Sequence, residues 1–365
     1  MEKGNFLSSF NRERRKKLKK NKMLGIAILC FLLFCATDTF AQTGAASQWH
    51  GAGPIPMRNQ MPLYLFYLQM EPDKASVTEQ DKLNINAGYA VSNITVSSST
   101  PVTSLYNINI DAEVSRITLD LKYGIYENTE VGLEVPYLSL SRGYLDEFIK
   151  GFEDSVGATT PRSRVSQGSY NFNYSFIYNS QDLIKRTNAS DGLGDIVLKA
   201  KYQILEEDRH SFWPNMSFRT AVKLPTGEKR SLLGSGEFDY GFGILLDKTF
   251  SERITVYTSC NFVVIEKPSF FSVLNLKKNI VSGIIGAEYL LAQRFSLVAQ
   301  VTGSTIPYPS TGTDALDEDP LDVGFGLNYI WKEKPNVSWY FAFIENINSR
   351  SSPDMSFNTG WKVGF

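Results

Sequence analysis

The sequence predicts a transmembrane, antiparallel, up-and-down β-barrel of about twelve strands. Three observations predict it. From about Lys82 onward, apolar and polar residues alternate in segments of roughly ten residues, the pattern of strands with one lipid face and one lumen face. Aromatic residues are in excess, with 18 Tyr and 24 Phe, many at alternate positions. Short and long connections take turns, as they do when strands run out and back across a membrane. After the first 41 residues no stretch approaches the roughly 18 consecutive apolar residues of a membrane helix.

The chain of 365 residues opens with a basic stretch, including Arg12, Arg14, Arg15, Lys16 and Lys17, followed by an apolar run from Leu24 to Cys35. That length suits a signal-peptide core, not a spanning helix. Thr39 and Ala41 place small residues where a signal peptidase reads, so a signal peptide is expected over 1–41 and a mature chain from Gln42. Cys30 and Cys35 follow the bulky Leu29 and Phe34, which leaves a lipid anchor as the lesser alternative. Cleavage would leave Cys260 alone of 3 cysteines, with no disulfide and no Cys metal site. A formal charge of -1 gives no sign of a nucleic-acid partner.

Residues 42–80 stand apart from the barrel pattern. Their apolar run Leu63-Tyr64-Leu65-Phe66-Tyr67-Leu68, within Pro54 to Met70, reads as a plug in the lumen, an extra strand or a periplasmic segment. Residues 81–365 form the expected barrel. Its clearest strands carry Phe238, Tyr240, Phe242, Ile244 and Leu246 between Asp239, Gly241, Gly243 and Asp247, and Val323, Phe325, Leu327, Tyr329 and Trp331 between Asp322, Gly324, Gly326 and Asn328. Ile196, Leu198, Ala200, Tyr202 and Ile204 repeat the pattern against Asp195, Lys199, Lys201 and Gln203. A soluble sandwich would fill its inner face mainly with aliphatic residues. Here the polar face is rich in Gly and charge, and the apolar face in aromatics of the kind that form interfacial girdles.

Short turns are expected near Glu127 to Thr129, Glu206 to His210, Ser251 to Arg253, Ala292 to Arg294 and Lys332 to Asn336, which puts both barrel ends on the periplasmic side. The connection from about Arg142 to Gly192 is far longer than an ordinary loop. Within it Leu145, Phe148, Ile149 and Phe152 share one side of a helical pattern, with Asp146, Glu147, Lys150, Glu153 and Asp154 on the other. An amphipathic helix there is expected to fold over or into the mouth as a lid or constriction, with a rigid loop cap that has no gating role as the alternative. In the last strand Phe357, Thr359, Trp361, Val363 and Phe365 share one face, and Asn358, Gly360, Lys362 and Gly364 the other. A terminal aromatic of this kind resembles the signal read by the bacterial barrel-assembly machinery, with Phe357, Trp361, Val363 and Phe365 carrying it.

Several segments together resemble an uncharacterised family of bacterial outer-membrane β-barrels, the domain of unknown function 3187. They are the stretch Gly143 to Phe152 after Val135-Pro136-Tyr137, then Gly192-Leu193-Gly194-Asp195, then Lys223-Leu224-Pro225-Thr226-Gly227 with Gly234-Ser235-Gly236. Arg58 to Tyr64 and Ser352-Pro353-Asp354 belong to the same pattern. The resemblance spans nearly all the expected mature chain. It implies a barrel in the bacterial outer membrane and brings no activity.

Catalytic chemistry finds little to stand on. His50 lies in the N-terminal segment and His210 in an expected periplasmic turn, so neither is placed as a general base. No spacing suggests a metal site, and no cofactor is expected. The acidic loop Asp314 to Asp319 lacks the ligand spacing of a calcium loop and reads as a solvated loop, with divalent cations bridging lipopolysaccharide as the alternative. The stronger lead is the lumen. Lys199, Lys201, Arg219 and Lys223 fall on neighbouring strands, and Asp239 and Asp247 on the next. They either pair and fill the space or set up a transverse field that orients a polar solute. Expected partners are outer-membrane lipid and lipopolysaccharide, the assembly machinery and a small solute of unknown identity. The expected function is a passive channel or uptake barrel, without enzymatic activity; the alternative is a non-transporting structural or surface-anchoring barrel.

Overall fold

A computed structural model of the chain describes residues 51–97, 105–142, 172–207, 212–312, 314–347, 352–353 and 355–365. Its strands are β1 (Leu83–Ser97), β2 (Tyr106–Tyr126), β3 (Thr129–Ser141), β4 (Asn173–Tyr178), β5 (Gln181–Arg186), β6 (Ser190–Leu193), β7 (Val197–Leu205) and β8 (Asn215–Lys223). They continue as β9 (Asp239–Ser251), β10 (Ile254–Ile265), β11 (Asn279–Ala292), β12 (Phe295–Ser304), β13 (Leu321–Ile330), β14 (Val337–Asn346) and β15 (Met355–Gly364). All neighbours pair antiparallel, and β1 pairs with β15 from Asn84↔Gly364 to Asn93↔Met355, which closes the sheet. With β4, β5 and β6 set aside, twelve strands form the barrel. Closure leaves no strand edge facing lipid, where an unpaired backbone group would cost several kcal/mol.

The alternation sets which side chain faces lipid. On β9, Tyr240, Phe242 and Ile244 are exposed while Asp239, Gly241, Gly243 and Asp247 are turned inward. On β7, Leu198, Tyr202 and Ile204 are exposed between the inward Lys199, Lys201 and Gln203. On β15, Ser356, Asn358 and Gly360 are inward, and Phe357, Thr359 and Trp361 take the other face.

Two boundaries differ from the sequence expectation. The connection after β3 is not one loop: β4 pairs with the Tyr106 to Asp111 end of β2, β5 pairs with β4, and β6 pairs with the Tyr137 to Leu140 end of β3. These strands raise the wall beyond the bilayer on the external side, because β2 has 21 residues and a membrane strand needs only about 9 to 11. Phe172, Tyr174 and Phe176 are buried at alternate positions, so the strand period was present. The expected lid residues Leu145, Phe148, Ile149 and Phe152 lie outside the described residues. The other difference is that β7 ends at Leu205 and β8 begins at Asn215, a longer turn than Glu206 to His210.

Candidate functional site: the barrel lumen

Residues 51–80 run inside the barrel and cross it twice. A segment without regular structure carries an N–H and a C=O at nearly every residue, each needing a partner once buried. The inward face of the wall supplies them. On the rising limb, the Gly53 N–H donates to Glu288 Oε2 at 3.1 Å, the Ile55 N–H to Gln300 Oε1 at 3.1 Å, and Asn358 Nδ2 donates to the Pro56 carbonyl at 2.7 Å. At the apex, Tyr308 donates to the Leu63 carbonyl at 2.7 Å and Lys223 Nζ to the Phe66 carbonyl at 2.8 Å. On the return, the Leu68 N–H donates to Asp239 at 2.8 Å, the Ala75 N–H to Asp247 at 2.5 Å and the Thr78 N–H to Glu130 at 2.6 Å.

The partners show the path. Glu288 and Asn328, which hold Gly53, lie near the periplasmic ends of β11 and β13. Tyr308, which holds Leu63, belongs to the external connection after β12. The segment therefore climbs from the periplasmic end, turns over at Met61 to Leu68 and descends to β1. Glycines on the inner face make room for it: a Cβ on Gly324 would lie 2.5 Å from Met57 Sδ, and one on Gly241 would lie 2.6 Å from Met70 Sδ.

The apex closes the external half. Met61, Leu63, Phe66 and Tyr67 are buried with Ile94, Ile108, Phe176, Phe271 and Tyr308 in one apolar cluster. The Phe271 ring centroid lies 5.3 Å from Phe176, 5.8 Å from Tyr308 and 6.0 Å from Phe66, all near edge-to-face. The loop residue Leu316 joins this cluster, and nearby Asp317 accepts from the Thr311 and Gly312 N–H groups at 2.6 Å. Asp319 accepts from the Ile306 N–H at 3.0 Å. In the expected acidic loop, then, the Asp317 and Asp319 carboxylates cap backbone.

Below the apex the lumen is charged. All six sequence-selected residues are turned inward, and each engages a partner. Lys223 lies 3.1 Å from Asp195 and 3.2 Å from Asp239; Lys201 lies 2.9 Å from Glu130 and 3.2 Å from Asp73; Lys199 lies 2.6 Å from Asp120 and 3.1 Å from Glu134. Arg219 donates to the carbonyls of Glu71 at 2.7 Å and Met70 at 3.3 Å, and to Asn261 at 2.8 Å. Sequence reasoning passed over Arg58, Asp73, Arg116, Asp120, Lys122, Glu130 and Glu134. The last four of the wall residues were findable, since Asp120 and Lys122, like Glu130 and Glu134, recur at even spacing on one strand face. Asp73 and Arg58 lie on the irregular segment, where no period marks them. At Asp73, Lys122 at 2.7 Å and Lys201 at 3.2 Å both meet the carboxylate.

Between the descending limb and the wall of β1, β2, β3, β7 and β15 lies a cavity of about 430 Å³. It reaches Pro335 and Asn336 at the periplasmic rim. That volume falls in the low range of small-molecule pockets, roughly 300 to 1,000 Å³. His50 and His210 lie outside the described residues, and among the described residues no group of three or more His, Cys, Asp or Glu could hold a metal.

The sequence matches the family model described as protein of unknown function DUF3187 over residues 28–365. The chain belongs to that family. Among curated proteins none matches. Among solved structures, the COG4313 outer membrane channel from Pseudomonas putida F1 superposes with a TM-score of 0.54 at 11% identity, covering 81% of this chain and 100% of that one. The NanC porin gives a TM-score of 0.41 at 9% identity over 77% of this chain and 98% of its own. The KdgM porin in complex with disordered oligogalacturonate gives 0.39 at 7% identity, over 77% and 99%. The fold of this DUF3187 member is that of a bacterial outer-membrane barrel.

Proposed function

We propose that this outer-membrane barrel is an uptake channel for a small polar solute, closed at rest by its own residues 51–80. One observation carries the reading: a charged cavity of about 430 Å³ lies beside the segment and reaches the periplasmic rim. The segment's lower half is held by hydrogen bonds and ion pairs, which water can replace as it moves. A core of apolar side chains would offer no such exchange. Solute passage needs no catalytic step.

The apolar packing of the apex favours a second reading, a non-transporting barrel sealed for good. One experiment separates the two. Full-length protein and a variant lacking residues 51–78 are reconstituted, and planar-bilayer conductance and liposome swelling are measured. The uptake reading expects little steady conductance from the full chain and a large, persistent increase from the deletion. A folded deletion variant that conducts nothing and swells no liposomes would establish the structural reading instead.

A further inference from the structure

The charges around the cavity do not cancel. Its carboxylates Glu71, Asp73, Asp120, Glu130 and Glu134 are all ion-paired, and their partners are Arg58, Arg116, Lys122, Lys199 and Lys201. Lys74, Arg219 and Lys362 also line the space, with no carboxylate at ion-pair distance among the described residues. Lys74 donates to the Gly51 carbonyl at 3.1 Å, and Arg219 is taken up by two carbonyls and Asn261. Glu288, across Gly53, is turned onto the Gly53 N–H, Tyr257 and Asn328.

Lys362 is different. Its ammonium makes one long contact, 3.5 Å to the Pro54 carbonyl, and stands 5.4 Å from the centroid of the Tyr340 ring. An ammonium has three protons to donate, so most of its capacity faces the cavity. The strand register sets two polar neighbours beside it, Asn86 on β1 and Ser338 on β14, both lining the cavity. The buried Asn86 Oδ1 makes no hydrogen bond. Since the two ends of an amide are interchangeable by rotation, this side chain can equally turn its donors inward.

We propose that Lys362, with Asn86 and Ser338, forms an anion subsite that takes the carboxylate of a small organic acid. The ammonium supplies the charge for one oxygen, and the amide and hydroxyl reach the other. A single ammonium with donors to spare, and no free guanidinium fork, matches a monoanion better than a phosphate, which favours bidentate arginine. Pro54 and Pro56 offer the organic remainder an apolar side. Excess cations along a lumen raise local anion concentration and select for anions in a pore. The inference names a solute class for the channel proposed above, and in that respect rests on it; the binding step does not.

The test uses full-length protein in detergent, with benzoate and its neutral relative benzamide as probes in isothermal titration calorimetry. Benzoate is expected to bind at least about tenfold more tightly than benzamide, the factor a charge-assisted hydrogen bond supplies. Lys362→Met should abolish that preference and Lys362→Arg should keep it, with heat-resistant electrophoretic migration reporting the folded barrel. Equal binding of the two probes to the wild type, or undiminished benzoate preference in folded Lys362→Met, overturns the subsite; the wild-type comparison decides even if the variant does not fold. Bilayer current separates this from the channel reading. Benzoate preference without current upholds the subsite and removes the channel, whereas current with neither benzoate preference nor anion-selective reversal potential does the opposite.

Discussion

Arg58 of the lumenal segment and Glu134 of β3 are joined at 2.7 Å, with side chains only 6% and 4% exposed. The same carboxylate also receives Arg116 at 2.7 Å and Lys199 at 3.1 Å. Three cations therefore converge on one anion, and one of them belongs to the element that fills the lumen.

Replacing Glu134 with Gln takes the carboxylate from Arg116 inside the barrel, while Arg58 keeps Glu71 and Lys199 keeps Asp120. Breaking a buried pair by removing one partner costs about 3–5 kcal/mol. Thermal unfolding of Glu134→Gln should fall accordingly, and protease should cut within residues 51–80. Because Arg58 and Glu134 touch, the double variant Arg58→Met with Glu134→Gln should lose less than the sum of the two single losses. Strict additivity would mean that the pair does not anchor the segment.

The inner-face glycines give a second handle. The nearest atoms to a Cβ on Gly324 are Met57 Sδ at 2.5 Å, Met57 Cε at 3.4 Å and Gln300 Cγ at 3.5 Å, so the segment and not the wall is in the way. Gly324→Val should cost docking about 1–3 kcal/mol through overpacking. Adding Met57→Ala should recover much of it. Proteolysis of residues 51–80 reads both effects; a Gly324→Val segment as protected as the wild type would contradict the close approach.

These two cases mark what the sequence could and could not reveal. Tyr240, Phe242 and Ile244 against Gly241 and Gly243 declare a lipid face and a lumen face, because alternation is a local property of a strand. The strand count and the inward direction of Lys199, Lys201, Arg219, Lys223, Asp239 and Asp247 follow from it. Which acid meets which cation does not, since Lys201 finds Glu130 and Asp73 only through strand register and the path of the segment. Residues 51–80 have no period to read, because their backbone is satisfied by distant wall side chains such as Glu288, Gln300 and Asp247. Lys362 was legible as inward-facing, but its lack of a carboxylate partner is a property of the assembled lumen.

Asp73 sets a pH limit on docking. It lies 2.7 Å from Lys122 and 3.2 Å from Lys201, pairs that need its ionised form. A carboxylate that must be ionised to keep its pairs contributes fully above its free value, about 3.9, and that contribution is lost as pH falls below it. The segment should thus stay docked from neutral pH down to about 4 and loosen in stronger acid. Cleavage of residues 51–80 by an acid-active protease over a pH series measures this. Asp73→Asn should weaken docking at neutral pH and flatten the acid dependence, and an unchanged profile would assign the limit to other groups.

The external seal should yield at Phe271. This ring is fully buried and packs against Phe66 of the apex, Phe176 of β4, Tyr308 and Phe270. Phe271 lies in the connection after β10, so its removal leaves every barrel strand pair intact. Phe271→Ala removes the ring from a packed cluster that can collapse only partly, at a cost of about 3–5 kcal/mol. Part of that cost falls on the apex, which loses an edge-to-face partner worth about 0.5–1.5 kcal/mol beyond its buried area. The expected result is more frequent opening in bilayer recordings, with the barrel's own resistance to heat and detergent little changed, because the strand pairing is untouched. A control, Phe242→Ala on the lipid face of β9, removes a comparable ring without contact to the segment and should leave opening as it was. If Phe271→Ala lowered barrel stability while leaving the recordings as quiet as wild type, the aromatic cluster would be a brace for the external loops, and the resistance to solute flow would lie in the charged half below.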